Sequence, residues 1–267
     1  MIKSTSNIAT PCAKHQLTEY EQPLNERMRT FLRLEFLYQQ MLYYSELETN
    51  WATRSATSSL LEIMSILMRG DVCSKVHKEL NYQIQNLKTF VSLPGVDSKR
   101  LDGLLERLLE NLNKVNAIGT RFMQPLKDCE FLSSIKQRSS IPGGACEFDL
   151  PEYNHWLRQP FARRQQDLQG WLNIIRPVCD TIIELLWLIR ESAQPVEKTA
   201  INGMYQHNIQ KRKKRRLLRV ILPINSQLYP EISASQHRFT IRFLEWSNIG
   251  HRAIQTEHNV QFQVSTC

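Results

Sequence analysis

Two periods divide this chain. From Asn25 to about Ser192 the apolar residues return every three or four positions, the spacing that gathers one stripe on an α-helix. Leu24, Met28, Phe31, Leu34, Tyr38 and Met41 form one such stripe. Pro23 keeps the chain extended before it, Asn25 is placed to cap the first turn, and Glu26 suits the positive end of the helix dipole. Val72, Val76, Leu80, Ile84, Leu87 and Val91 form a second stripe. Leu101, Leu105, Leu108, Leu112 and Val115 form a third, after a Pro94-Gly95 turn and a capping Asp97. That Leu-rich seam is too short for a coiled coil and predicts a bundle helix. Residues 161–176 and 178–192 predict two more helices separated by Pro177, and the run Ile182–Ile189, apolar nearly all round, belongs at the centre of the bundle.

After Ser192 the period shortens to two. Arg238–Phe243 alternates strictly, as does Val260–Val264, and residues 217–222 form a more apolar strand candidate. Three strands make a thin sheet, so Gln16–Gln22 and Ala145–Leu150 are expected to complete it. The pattern therefore predicts an α+β fold, a mostly α-helical bundle domain joined to a smaller antiparallel β domain. Residues 1–15, polar and irregular, read as a flexible N-terminal extension. Residues 24–199 read as the helical domain, with 141–150 as a candidate strand lent to the β domain. Residues 200–267, joined by 16–22, read as the β domain.

Composition changes this picture little; charge changes it more. The apolar share of 42% and charged share of 22% are those of an ordinary globular protein. Trp171–Ile189, the most apolar stretch, is broken by Asn173, Arg176, Pro177, Asp180 and Glu184, a poor match to the roughly 20 apolar residues of a membrane span. The N-terminus lacks the pattern of a secretory signal, so a cytoplasmic location is expected. Six scattered cysteines without a C-x-x-C pair predict neither a zinc site nor a disulfide framework, and no metal or other cofactor is expected.

The net charge of +8 is local. Residues 211–219, K-R-K-K-R-R-L-L-R, hold seven of the 34 lysines and arginines, and the remaining 27 face 26 acidic residues. Three readings of this run stand side by side: a solvated loop, a nonspecific anchor for nucleic acid or an anionic membrane, and an electrostatic handle on an acidic partner. It lacks the interleaved aromatics on which single-stranded nucleic acid stacks, so no specific nucleic-acid partner is expected.

Catalytic chemistry finds no foothold. The sequence has no G-x-S-x-G, H-E-x-x-H, Walker or G-x-G-x-x-G motif. Pro142-Gly143-Gly144 is a tight turn with no Lys-Ser/Thr helix after it, and nothing in the spacing of Cys146 and His155 fixes a nucleophile to a base. The chain reads as non-enzymatic. Its polar helix face is more telling. Arg29, Arg33 and Gln40 share one side of the first helix, opposite its apolar stripe, where guanidinium groups can serve solubility or pair with carboxylates. On the alternating strand, Phe239, Ile241 and Phe243 face inward, which turns Arg238 and Arg242 outward.

Residues 23–40 (P-L-N-E-R-M-R-T-F-L-R-L-E-F-L-Y-Q-Q), 94–101 (P-G-V-D-S-K-R-L), 137–151 (Q-R-S-S-I-P-G-G-A-C-E-F-D-L-P), 188–193 (L-I-R-E-S-A), 202–206 (N-G-M-Y-Q) and 226–246 carry a further signal. Together, in order, they closely resemble the ZapD family of bacterial cell-division proteins, over nearly the whole chain from Pro23 to Trp246. The resemblance implies a cytoplasmic homodimer, acting at the mid-cell division site, that binds the C-terminal tail of the tubulin-like protein FtsZ and bundles its filaments without catalysis. It also implies a binding surface of charged, largely basic residues. Arg29 and Arg33 match the family's M-R-T-x-L-R block, Arg138 its Q-R-x-S-I-P-G-G block, and Arg238 and Arg242 its R-F-x-I-R-F block. His155, just after the second of these, flanks the same surface, while its neighbour Trp156 is expected in the core.

Overall fold

The computed structural model describes residues 17–69, 71–119, 121–208, 215–235 and 238–267. The expected extension at 1–15, Gln16, and Lys211–Lys214 of the basic run lie outside them. The described chain divides into two compact units, one spanning residues 29–188 and the other built from both ends, up to Met28 and from Ile189 onward.

The first unit is helical. Its elements are α1 (Glu26–Ser45), α2 (Asn50–Leu67), α3 (Val72–Lys88), α4 (Ser98–Ala117), the short α5 (Gln124–Lys127), α6 (Glu130–Arg138), α7 (Pro151–Leu157) and α8 (Phe161–Glu191). The predicted caps are in place: Asn25 accepts the Met28 amide at 2.9 Å, and Asp97 accepts that of Arg100 at 3.0 Å. The stripe of Met28, Phe31, Leu34, Tyr38 and Met41 is wholly buried. Tyr38 donates to Asp180 at 2.7 Å, tying α1 to α8. Burial and then this bond push its hydroxyl far above the ordinary value of 10.0.

Pro177 does not break the chain into separate helices; α8 runs through it for 31 residues. A proline inside a helix costs about 3 kcal/mol. Ile175, Val178, Ile182 and Leu185 around it are fully buried, and each aliphatic side chain so placed contributes about 1.5–3 kcal/mol, which outweighs the penalty. Arg164, another buried residue of α8, donates to the Thr53 hydroxyl, to the Glu48 carbonyl at 2.7 Å and to the Gln159 carbonyl at 3.1 Å, so its charge sits among satisfied acceptors.

The second unit is a pair of antiparallel sheets. β1 (Leu17–Pro23), β4 (Leu217–Pro223), β8 (Val260–Thr266) and β2 (Val196–Ala200) form one, in the order β1-β4-β8-β2. β3 (Met204–Asn208), β6 (Arg238–Glu245) and β5 (Leu228–Ala234) form the other in the order β3-β6-β5, and β7 (Ile254–Gln255) also pairs with β6. The register of β1 on β4 runs from Leu17 opposite Pro223 to Pro23 opposite Leu217. Leu218, Val220, Leu222, Phe239, Ile241, Phe243 and Phe262 meet in the core of this unit.

On the other face of β4, Arg219 is only 12% exposed. It reaches Glu19 at 2.5 Å and the carbonyl of Arg190 at 3.1 Å, while its Nε lies 3.6 Å from Glu21, too far for a hydrogen bond. Arg190 grips Glu21 with two bonds of 2.8 Å. The charges of β1 are thus clamped between β4 and the last turn of α8.

Two boundaries need correction. Residues 145–150 form no strand. The Cys146 amide donates to Gly143 and the Leu150 amide to Cys146, so local turns take the hydrogen bonds that a sheet would need. The helical segment also stops before 199: α8 ends at Glu191 and β2 starts at Val196. β2 is exposed along all but its last residue, so it has no apolar alternation to read.

Replacing Tyr38 with Phe removes a hydrogen bond to a charged group and should lower stability by about 1.5–3 kcal/mol in urea denaturation. Because the folded hydroxyl stays protonated above pH 10.0 while the unfolded one ionises, the wild-type advantage is whole below that pH. It should shrink by about 1.4 kcal/mol per pH unit above it. A gap that stays constant well above that pH would contradict this.

Candidate functional site

The six predicted residues fall in both units: Arg29, Arg33, Arg138 and His155 in residues 29–188, and Arg238 and Arg242 in the β unit. On α1, Arg33 is exposed and Arg29 half-buried, both off the buried stripe. Gln40 is partly covered and accepts a hydrogen bond from Ser59 of α2 at 3.2 Å, so the open part of this face is its N-terminal half.

Arg138 and His155 flank a groove of about 640 Å³, lined among others by Trp51, Arg54, Ile141, Gly144, Leu157 and Arg158. The turn from Arg138 to Leu150 shapes one wall. Ile141 donates to Arg138, Gly144 to Ile141, and Gly143 adopts a φ of 73°. A side chain at 144 would meet the Arg138 carbonyl at 2.3 Å, so this close approach requires glycine. Arg54 crosses from α2 to donate to the Ala145 carbonyl at 2.8 Å. Its guanidinium lies 5.0 Å from the Tyr153 ring and 5.7 Å from that of Trp51.

The rim is ionic. Arg138 stands 3.6 Å from Asp149, and Arg158 stands 3.1 Å from Glu147. Such exposed pairs are worth about 0–1 kcal/mol, so an incoming carboxylate can displace the internal one at little cost. Trp51 is 79% exposed and Phe148 86%, which adds apolar surface beside the arginines. A groove with apolar walls and exchangeable guanidinium groups suits a short peptide carrying both carboxylates and apolar side chains.

His155 is exposed on α7, with its ring 3.0 Å from the Gln159 amide. It neighbours the groove residues Asn154 and Leu157 without lining the groove. Trp156, expected in the core, is only half-buried, bonded to Asp167 at 2.9 Å and packed on Phe131 and Trp171. On β6, burial alternates as expected, with Arg238 and Arg242 outward. Arg242 is paired with Glu231, its register partner on β5.

The described end of the basic run is tied into the β unit. Arg215 donates to the Thr266 carbonyl at 2.5 Å and Arg219 is clamped as described, so its C-terminal end is built into the sheet rather than solvated. Among the described residues no three His, Cys, Asp or Glu side chains gather as a metal site requires. The five described cysteines are free thiols; Cys12 lies outside the described residues. No described helix is long and apolar enough to cross a membrane.

Sequence reasoning missed Trp51, Arg54, Glu147 and Arg158. The available signal was a tryptophan and an arginine three residues apart at the start of α2, off its buried positions. Their partners come from α7 and its preceding turn, far along the chain, and no periodicity reports that.

Comparison with known proteins adds independent findings. The family model ZapD, described as a cell division protein, matches residues 32–242. A relative from Methylococcus capsulatus named "Cell division protein ZapD" is 35% identical over 254 residues, 95% of this chain and 99% of the relative. Relatives of the same name from Shigella flexneri and from Escherichia coli O17:K52:H18 are each 35% identical over 248 residues, 93% of this chain and 98% of theirs.

Gly144→Ala should cost about 1–3 kcal/mol in denaturant unfolding, because a backbone carbonyl must move. Gly170→Ala, inside α8 with open space around it, should instead stabilise by about 0.5–1 kcal/mol. Equal effects from the two substitutions would show that the groove turn is not set by that close approach.

Proposed function

This chain belongs to the ZapD family of cell division proteins, and we propose that it is a non-enzymatic cross-linker that binds the C-terminal tail of FtsZ and bundles FtsZ filaments at the mid-cell division site. The support that carries most weight is the family match over almost the full length of both this chain and its relatives. The groove flanked by Arg138, and the outward Arg33 and Arg238, support the recognition of an acidic and apolar tail.

The physics of the proposed action is multivalency. A homodimer presents each tail site twice, and a filament repeats the tail at every subunit. Once one tail is bound, the second contact forms at a high effective concentration, so a weak single-site affinity suffices to join two filaments. Exposed arginines steer the tail, and bundling should weaken as salt screens them.

The test is low-speed sedimentation of purified FtsZ with this protein in the cytoplasmic salt range. Bundles should pellet with full-length FtsZ and not with FtsZ lacking its C-terminal tail; equal pelleting of both would overturn tail binding. Arg33→Glu should weaken pelleting severalfold while changing stability by less than about 0.5 kcal/mol, as substitutions at exposed positions usually do. An unfolded Arg33→Glu variant would instead make that arginine a structural residue.

A further inference from the structure

A second cleft, of about 310 Å³, lies wholly within the β unit. It opens between the edge strands of the two sheets, β2 of one and β3 of the other. One wall carries an aromatic step. The exposed His207 ring lies nearly parallel to Tyr205, at 6° with centroids 6.3 Å apart, and rests 5.3 Å from Phe239. Tyr205 is in turn braced edge-on by Phe262 at 5.3 Å. Around this step stand Lys198, exposed on β2, and Arg215, oriented by its bond to the Thr266 carbonyl.

Among the described residues, no acidic side chain lines this cleft. Glu197, next to Lys198 on β2, does not line this cleft; it lines a different depression that Lys198 also borders.

We propose that this cleft binds single-stranded nucleic acid, with one base stacked on His207 and the flanking phosphates paired with Lys198 and Arg215. A flat ring face flanked by cations and free of carboxylates is the arrangement that holds a base and its phosphates without reading sequence. The volume is at the low end for a ligand site and admits one nucleotide unit. A duplex offers its bases no free face for such a step, and its major groove is read by an inserted helix or ribbon rather than by a cleft. The aromatic surface that Arg215 lacks beside it in sequence is supplied by β3. None of the arginines proposed to engage FtsZ lines this cleft.

The experiment is fluorescence anisotropy of a labelled oligo-dT strand, about 20 nucleotides long, with the full chain. His207→Ala should weaken binding about tenfold, the effect of losing one stacked base, while His207→Tyr should retain it. Lys198→Gln should lower the slope of log affinity against log salt by about 0.7. A duplex of equal length should bind more weakly and ignore His207→Ala. FtsZ pelleting should be unchanged in all three variants, and thermal melting by circular dichroism should report them folded. Wild-type affinity for dT in both His207→Ala and Lys198→Gln would overturn the proposal, as would equal losses on duplex and single strand. Vesicles of anionic phospholipid that lose binding with these substitutions while dT does not would assign the cleft to a membrane instead, and would equally overturn it.

Discussion

The β unit depends on one pairing across the sequence, β1 against β4. The two strands come from opposite ends of the chain, with Glu19 and its partner Arg219 separated by 200 positions. Register alone does not hold them. Glu21 is gripped by Arg190 and faces Arg219, and Arg219 also binds Glu19 and the carbonyl at the end of α8. Arg219, Arg190 and Glu21 are mostly shielded from water while Glu19 is half-exposed, so the costly loss is that of Glu21, which would leave Arg190 uncompensated at up to about 3–5 kcal/mol. The long helical insertion between β1 and β2 adds little entropic cost, because closure entropy grows only logarithmically with length and each doubling costs about 0.6 kcal/mol.

Much of this architecture was legible, for identifiable reasons. The α1 stripe, the Asn25 and Asp97 caps, and the alternation at Phe239, Ile241 and Phe243 each carry a strong periodic signal because one face is buried and the other is not. β1 was legible only as a need for another strand. The failures share a cause as well. Pro177 reads as a break because local propensity says so, yet tertiary burial on both sides overrides it. Residues 145–150 resemble a strand, but the turns begun at Gly143-Gly144 use their hydrogen bonds locally. β2 and β3 lie at sheet edges with mostly exposed side chains, so no alternation marks them. At the candidate site, spacing indicated the arginines, whereas the groove between α2, α7 and the turn before α7 exists only in three dimensions.

Arginine serves two purposes in this protein, and the formal charge does not separate them. Arg54, Arg164, Arg190 and Arg219 are committed to internal acceptors: backbone carbonyls, a hydroxyl and the glutamates of β1. Arg33 and Arg238 are exposed, and Arg138 holds only a loose rim pair. A planar fork of donors suits both tasks, since it can satisfy several carbonyls at once or meet a carboxylate with two bonds. The electrostatic surface presented to a partner is therefore smaller and more localised than a count of cations implies.

The separation of β1 from β4 also has a consequence for synthesis. At a translation rate of about 5–20 residues per second, β1 emerges roughly 10–40 s before its partner exists. Through that interval its backbone edge is unpaired, the condition under which strands associate wrongly. Its sequence, L-T-E-Y-E-Q-P, sets two carboxylates among few apolar groups and ends in a proline. Charge repulsion between nascent copies and a blocked hydrogen-bond donor both discourage premature pairing. Glu19 and Glu21, which later hold the arginines of the finished sheet, thus first serve to keep the waiting strand single.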